Sequence, residues 1–377
     1  MKIYLDTLIF DLQQAGGASS YCAGLADQLR LVGEDIVCIE RVKKRQNIFR
    51  QANEKASTIV VKERQMPLML QRFLPITVPL EAGSIFHSSY YRITHDRSIA
   101  TIVTVYDCIY ERYRFGLPKV IHMLQKKAAL RAADGIICIS MNTQRDMETY
   151  YPWTATKPVK VIPLAVDKNF HPLEKGLDLN ELPGEYKELK VLKYILYVGE
   201  RVFHKNFSIA VETVAAIPGV TLVLAGGGKI SRHETSMLER LIPGRYRIFC
   251  RVSLLELNYL YNNAFCLLYP SKYEGFGLPI LEAMQSGCPV VAMRSSSIPE
   301  VCGNVGLLAD EDSPDAFVSL INRLEDVGYR CNVVAAGLEW ARRFSWEKVT
   351  QETLDFYQEV AHLKWPRKSL PEIENVT

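Results

Sequence analysis

The sequence predicts an α/β protein built from two doubly wound domains that face each other across a cleft. Three observations carry this. Short runs rich in Ile and Val alternate with helical patterns, as in parallel sheets covered on both faces. The alternation breaks once, at "DKNFHPLEKGLDLNELPGEYKELK" (167–190), a stretch rich in charge, Pro and Gly, and then begins again. The length of 377 residues, 48% hydrophobic and 23% charged, suits two domains of ordinary globular composition. The expected domains are residues 1–170 and 171–349. A last helix at about 350–365 is free to pack back on the first.

In order, "KIYLD", "DIVCIE", "SIFHS", "TIVTVYD", "GIICIS" and "VKVIPL" read as strands of the first domain. Between them, "ASSYCAGLADQLRLVG" reads as a helix, because Tyr21, Leu25 and Leu29 recur every fourth residue and Gly33 supplies a stop. "PKVIHMLQKKAALRAADG" is a second helix. The second series opens with the strand "YILYVG", the helix "KNFSIAVETVAAIPG" and the strand "VTLVLAGGG". "YRIFC", "AFCLLYP" and "CPVVAM" continue it, and "SWEKVTQETLDFYQEV" is the closing helix.

Composition excludes several classes. No apolar run reaches the roughly 18 residues that span a bilayer, and the N-terminus reads as a strand rather than a leader, so an intracellular, cytoplasmic chain is expected. The nine cysteines form no C-x-x-C pair, which argues against zinc and a disulfide framework. Charge is uneven: residues 1–170 hold 23 Lys/Arg against 16 Asp/Glu, and the remainder carries a net −4. The densest basic patch is "RVKKRQNIFR" (41–50). It reads as a solvated loop or as attraction to an anionic membrane or acceptor. No nucleic-acid recognition motif accompanies the charge. The segment "KERQMPLMLQRFLPITVPL" (62–80) shows Met, Leu and Phe that fit a membrane-bound acceptor or a loop over the core.

Ligands of such sheets bind at the carboxyl ends of the strands, and three junctions there stand out. After the first strand, Gly16 and Gly17 open backbone N–H groups ahead of a helix. After "YILYVG", Arg201 and Lys205 flank a short loop and suit a diphosphate. After "AFCLLYPS", the stretch "KYEGFGLPILEAMQSG" places Glu274 and Glu282 around a glycine turn, with Pro279 in the first helical turn and Gly287 at the stop. Carboxylates would repel a phosphate but accept sugar hydroxyls. A ligand with phosphate and hydroxyl-rich parts fits, and a nucleotide sugar is one.

"YEGFGLPILEAMQSGCPVV" resembles the signature of the family 4 glycosyltransferases, retaining enzymes of GT-B architecture with two facing Rossmann-like domains. "YVGERVFHKN", "VKVIPLAVDKNFHP" and "IICISMNTQRDM" resemble neighbouring blocks, and the chain looks similar to bacterial mannosyltransferases of surface polysaccharide synthesis. The resemblance implies Arg201, Lys205 and Glu274 as catalytic residues. It implies a donor site of these three with Gly16, Gly17, Gly275, Phe276, Gly277, Leu278 and Glu282. The second Glu would bind donor ribose, the first would lie by the donor hexose, and the cations would neutralise the diphosphate. Two departures stand out: Tyr106 with Asp107 replaces a His-Asp pair, and Cys250 replaces a Gly beside the base. His87, at a strand end, is a third acceptor-side candidate, with the alternative of a structural histidine. The triplet Asp310–Asp312 reads as a solvated loop, so neither a metal nor a cofactor is expected. The partners implied are a nucleotide sugar and a saccharide or lipid-linked acceptor at the inner face of the cytoplasmic membrane. Two alternatives stay open: a nucleotide-sugar epimerase of the same architecture, and a non-catalytic nucleotide-sugar-binding protein.

Overall fold

The computed structural model describes residues 1–41, 47–50, 59–63, 66–173 and 183–366. Two parallel sheets form the frame. The first has the strand order β3-β2-β1-β4-β5-β6-β7. Its members are β1 (Lys2–Asp6), β2 (Asp35–Arg41), β3 (Ile59–Glu63), β4 (Ile85–Ser88), β5 (Ala100–Val105), β6 (Gly135–Cys138) and β7 (Val159–Val161). The second has the order β10-β9-β8-β11-β12-β13. It consists of β8 (Tyr194–Val198), β9 (Thr221–Ala225), β10 (Tyr246–Phe249), β11 (Cys266–Tyr269), β12 (Val290–Met293) and β13 (Leu307–Ala309). Every pairing is parallel, so this is the expected two-domain α/β architecture.

The central strands β4, β5 and β6 are buried along their whole length, as strands covered on both faces must be. The edge strand β3 was not legible in the sequence. It pairs only with β2, exposes Ile59 and Val60, and runs straight into charge, so it lacks the apolar run that marks its neighbours.

The closing helix Trp346–Lys364 begins at Ser345, whose hydroxyl accepts from the Lys348 amide. It lies on the first sheet rather than the second, where Val360 and Phe356 press against Gly135 and Ile102 lines the same cluster. A Cβ on Gly135 would fall 2.5 Å from Val360. Trp346 likewise fills the space a side chain at Gly24 would need, and it stacks on Tyr21 at 6.3 Å. The chain therefore crosses between the two sheets twice.

The basic patch is corrected at both ends. Arg41 is buried, donating to Gln71 Oε1 (2.8 Å) and the Met66 carbonyl (2.9 Å). Arg50 is buried against Asp11 at 3.2 Å. Residues 42–46 lie outside the described residues. No helix among the described residues is long and apolar enough to cross a membrane.

Candidate functional site

The strand order reverses between β1 and β4 in the first sheet and between β8 and β11 in the second. At such a point the adjoining loops part and leave a crevice at the strand ends. In the second domain, the loop after β8 carries Arg201 and Lys205, and the loop after β11 carries Glu274. Both flank that reversal.

Lys205 Nζ donates to both carboxylate oxygens of Glu274 (2.6 and 2.8 Å) and approaches Tyr269 Oη at 3.3 Å. The Glu274 backbone is fixed from within its own domain. Its amide donates to Ser296 Oγ (2.8 Å), and its carbonyl accepts from Ser297 Oγ (2.9 Å).

Arg201 departs from its expected part in a cationic clamp. Nε donates to Glu234 Oε1 at 3.0 Å, and the guanidinium donates to the carbonyls of Gly226, Gly227, Gly228 and Lys229 at 3.0–3.2 Å. Its side chain is 3% exposed. Arg201 thus braces the glycine loop after β9, where Gly227 (φ +71°) lies so close that a Cβ would sit 2.4 Å from the Gly199 carbonyl. Lys205 is the cation that meets Glu274.

Glu282 sits on the helix Leu278–Gln285, which starts at Gly277 in the left-handed region (φ +113°) with Pro279 in its first turn. Gly287, at φ +76°, follows its end. Tyr261 Oη donates to Glu282 Oε2 at 2.9 Å. Burial pushes the Glu282 carboxyl up to about 7, the Tyr261 bond opposes this, and Asp167 adds to it.

The glycine turn is packed tightly against the other domain. A Cβ on Gly275 would lie 1.9 Å from the Tyr106 carbonyl oxygen and 2.9 Å from Asp107 Cβ. Phe276 is a core side chain, edge-on to Phe344 at 6.1 Å, so only its backbone belongs to the turn. Leu278 faces the first domain, because a Cβ on Gly17 would fall 3.2 Å from Leu278 Cδ1. The helices Gly17–Leu31 and Leu278–Gln285 therefore begin beside one another, and neither start is capped by a side chain. Two positive dipole ends converge there. The Gly16 loop is tied down by Asn47, whose Nδ2 donates to the Gln13 carbonyl at 2.9 Å.

The acceptor-side candidates are corrected in part. His87 is buried with both ring nitrogens engaged, by Tyr357 Oη at 2.5 Å and Thr104 Oγ1 at 2.7 Å, and burial pushes it down to about 3. It is a neutral structural histidine that ties the closing helix to the first sheet. Tyr106 is buried edge-on against Tyr21 at 6.1 Å, and only its carbonyl reaches the glycine turn. Asp107 is half-buried, and its Oδ1 accepts from the Ile109 amide at 2.9 Å. The Asp310–Asp312 loop is exposed. Asp310 pairs with Arg294 at 2.5 Å and Asp312 with Lys272 at 2.6 Å. Cys250, after β10, is exposed.

Sequence reasoning missed Tyr261, Tyr269, Ser296 and Ser297. A tyrosine on an apolar helix face or strand gives no linear sign that its hydroxyl holds a carboxylate.

The chain is similar to known proteins over most of its length. Residues 181–335 match the family model described as glycosyl transferases group 1. The chain is similar to the O-antigen chain mannosyltransferase B of Escherichia coli, with 29% identity over 321 residues, 78% of this chain and 81% of that one. Two solved structures share the fold. A sucrose-phosphate synthase from Thermosynechococcus elongatus has a TM-score of 0.73 and 19% identity, covering 95% of this chain and 98% of its own. Anabaena HepE in complex with UDP and glucose has a TM-score of 0.72 and 17% identity, covering 95% and 100%.

Proposed function

We propose that this chain, whose residues 181–335 match the group 1 glycosyl transferase model, is a retaining glycosyltransferase that moves a hexose from a nucleoside-diphosphate sugar to a saccharide or lipid-linked saccharide. The observation that carries the reading is the convergence at the cleft. Lys205 and Glu274 meet across the second strand reversal, with the two uncapped helix starts, one of them on the helix that carries Glu282. The helix starts and Lys205 meet the charge on the leaving diphosphate, Glu282 accepts the ribose hydroxyls, and Glu274 faces the hexose. This scheme assigns the charge to protein groups rather than to a metal or cofactor. The acceptor hydroxyl attacks on the leaving-group side, and the departing phosphate takes its proton. Mannose is the proposed sugar, supported by the likeness to the O-antigen mannosyltransferase.

The test is a binding and turnover panel over UDP-, GDP- and dTDP-sugars. At least one is expected to bind and to be turned over; binding by none of them would overturn the reading, and so would binding without transfer or hydrolysis.

The Glu282 carboxyl supplies a second expectation. With its folded value raised to about 7, the protonated form stabilises the free protein, and that contribution fades as pH rises through about 7. Ribose binding uses the carboxylate and therefore runs the other way. Nucleotide affinity is expected to be weaker at pH 6 than at pH 8, and Glu282→Gln to remove the difference. Calorimetric titrations at both pH values check this. Equal slopes in the two proteins would remove Glu282 from the ribose site.

The proposed place of action is the inner face of the cytoplasmic membrane, supported by an exposed apolar surface on the first domain. Leu70 and Phe73 on one segment, and Phe115, Leu117, Val120 and Leu124 on another, are all exposed. The two segments are joined where Gln125 Nε2 donates to the Arg72 carbonyl at 2.6 Å. Arg114 precedes the second segment and Lys119 lies within it. Each buried leucine contributes about 1.5–3 kcal/mol. Leu117→Asp with Leu124→Asp is therefore expected to cost at least about tenfold in binding to vesicles containing phosphatidylglycerol. Co-sedimentation measures it, and unchanged binding would exclude this surface.

A further inference from the structure

The two residues that flank Glu274 in the chain are both held by the first domain. Tyr273 Oη donates to Asp146 Oδ2 at 2.6 Å and accepts from the Cys108 amide at 3.1 Å. The Gly275 carbonyl accepts from Ser140 Oγ at 2.7 Å and Thr143 Oγ1 at 3.0 Å. Asp146, Ser140 and Thr143 belong to the helix Met141–Tyr150 and its N-cap. The amides at the start of that helix are met from the second domain as well: Glu300 Oε2 accepts from the Met141 amide at 2.9 Å, and Oε1 from the Asn142 amide at 3.0 Å.

A carboxylate across two open amides at a positive dipole end makes a charge-assisted, two-point contact. Such a contact is directional and is lost over a small displacement. Tyr273, the Gly275 carbonyl and Glu300 thus form three contacts on one helix of the opposite domain. Parting the domains would break all of them together.

We infer that the helix Met141–Tyr150 is a latch that sets the position of Glu274 by gripping Tyr273, Gly275 and Glu300, so that cleft closure and placement of the sugar-side carboxylate are one event. The Glu274 amide and carbonyl are bound within the second domain. Its neighbours on both sides are bound within the first, so the Glu274 carboxylate is aligned on Lys205 only when both sets of bonds are made. Tyr273 and Glu300 are positioning residues in this scheme. They act on the reaction through Glu274, while the ribose side of the nucleotide is assigned to Glu282, which the latch does not touch. The scheme rests on the transferase reading for its kinetic part and on geometry alone for the domain contact.

Tyr273→Phe removes one hydroxyl and keeps the ring, and Glu300→Gln keeps the shape and removes the charge. Each is expected to lower kcat about tenfold and the pair more than either. Affinity for UDP or GDP, whichever the wild type binds, is expected to stay within about twofold of it. Small-angle scattering of the double variant without ligand is expected to show a larger radius of gyration than the wild type. Wild-type kcat in both single variants would overturn the latch, as would an unchanged radius of gyration in the double variant. A loss of nucleotide affinity equal to the loss of kcat would also overturn it, because the residues would then act through general damage to the second domain. An inactive wild type would sink the transferase reading, and the scattering comparison would still decide the latch.

Discussion

Lys205→Ala is expected to lower kcat/KM by about 10²–10³-fold, the loss typical of removing one preorganised group from a developing charge. The structure sharpens this beyond a generic cation deletion. Arg201 cannot take over the role in this arrangement, because its donors are engaged by Glu234 and four loop carbonyls. The change has a second consequence. Glu274 is buried, and Lys205 Nζ meets both of its carboxylate oxygens. Leaving that carboxylate without its cation is expected to cost about 1–3 kcal/mol of stability. Thermal denaturation and steady-state kinetics together separate the two effects. Adding Glu274→Gln to Lys205→Ala is expected to restore melting toward the wild type while activity stays lost. Restored activity in the double variant would remove Lys205 from the chemistry.

Gly275→Ala is expected to abolish transfer almost completely while leaving nucleotide binding in place. The added Cβ has no room with the cleft closed: it would sit 1.9 Å from the Tyr106 carbonyl, and a backbone oxygen cannot swing away as a long side chain can. Either the turn shifts or the domains part. A displacement of about 1 Å at a reacting group is enough for a loss of about 10²-fold. Glu282, the group proposed for the ribose, and its partner Tyr261 lie apart from this contact and keep their mutual bond. Calorimetric binding of the nucleoside diphosphate beside turnover measures the split. Wild-type turnover in this variant would show that the contact with Tyr106 is not needed in the working enzyme.

Both results depend on features with different visibility in the sequence. Glycines 275 and 277 look alike in "YEGFG", yet they are glycine for different reasons. Gly277 takes φ +113° to start its helix, a requirement of local backbone that turn chemistry already implies. Gly275 is excluded from carrying a side chain by a residue of the other domain, 169 positions earlier in the chain. Arg201 and Lys205 also look equivalent, two cations at one strand end. Only folding brings Glu234 and the carbonyls of the 226–229 loop onto the first and Glu274 onto the second.

What the sequence determined by itself is everything whose cause is local or periodic. The alternation of apolar strand and amphipathic helix sets two parallel sheets. The "EGFGLP" turn sets a helix start, and the spacing of Glu274 and Glu282 sets two acids around it. Short-range sterics and burial on both faces enforce these features, and a linear pattern records them. Tertiary structure decided the partners: that His87 is a neutral strut between Thr104 and Tyr357, that Arg201 braces a loop, and that Tyr261 holds Glu282. It also set Glu300 on the amides of a helix in the other domain. Each of these is a contact between residues far apart in the chain. A polar side chain's role is fixed by which donor or acceptor arrives within about 3 Å of it, and only the packed chain specifies that.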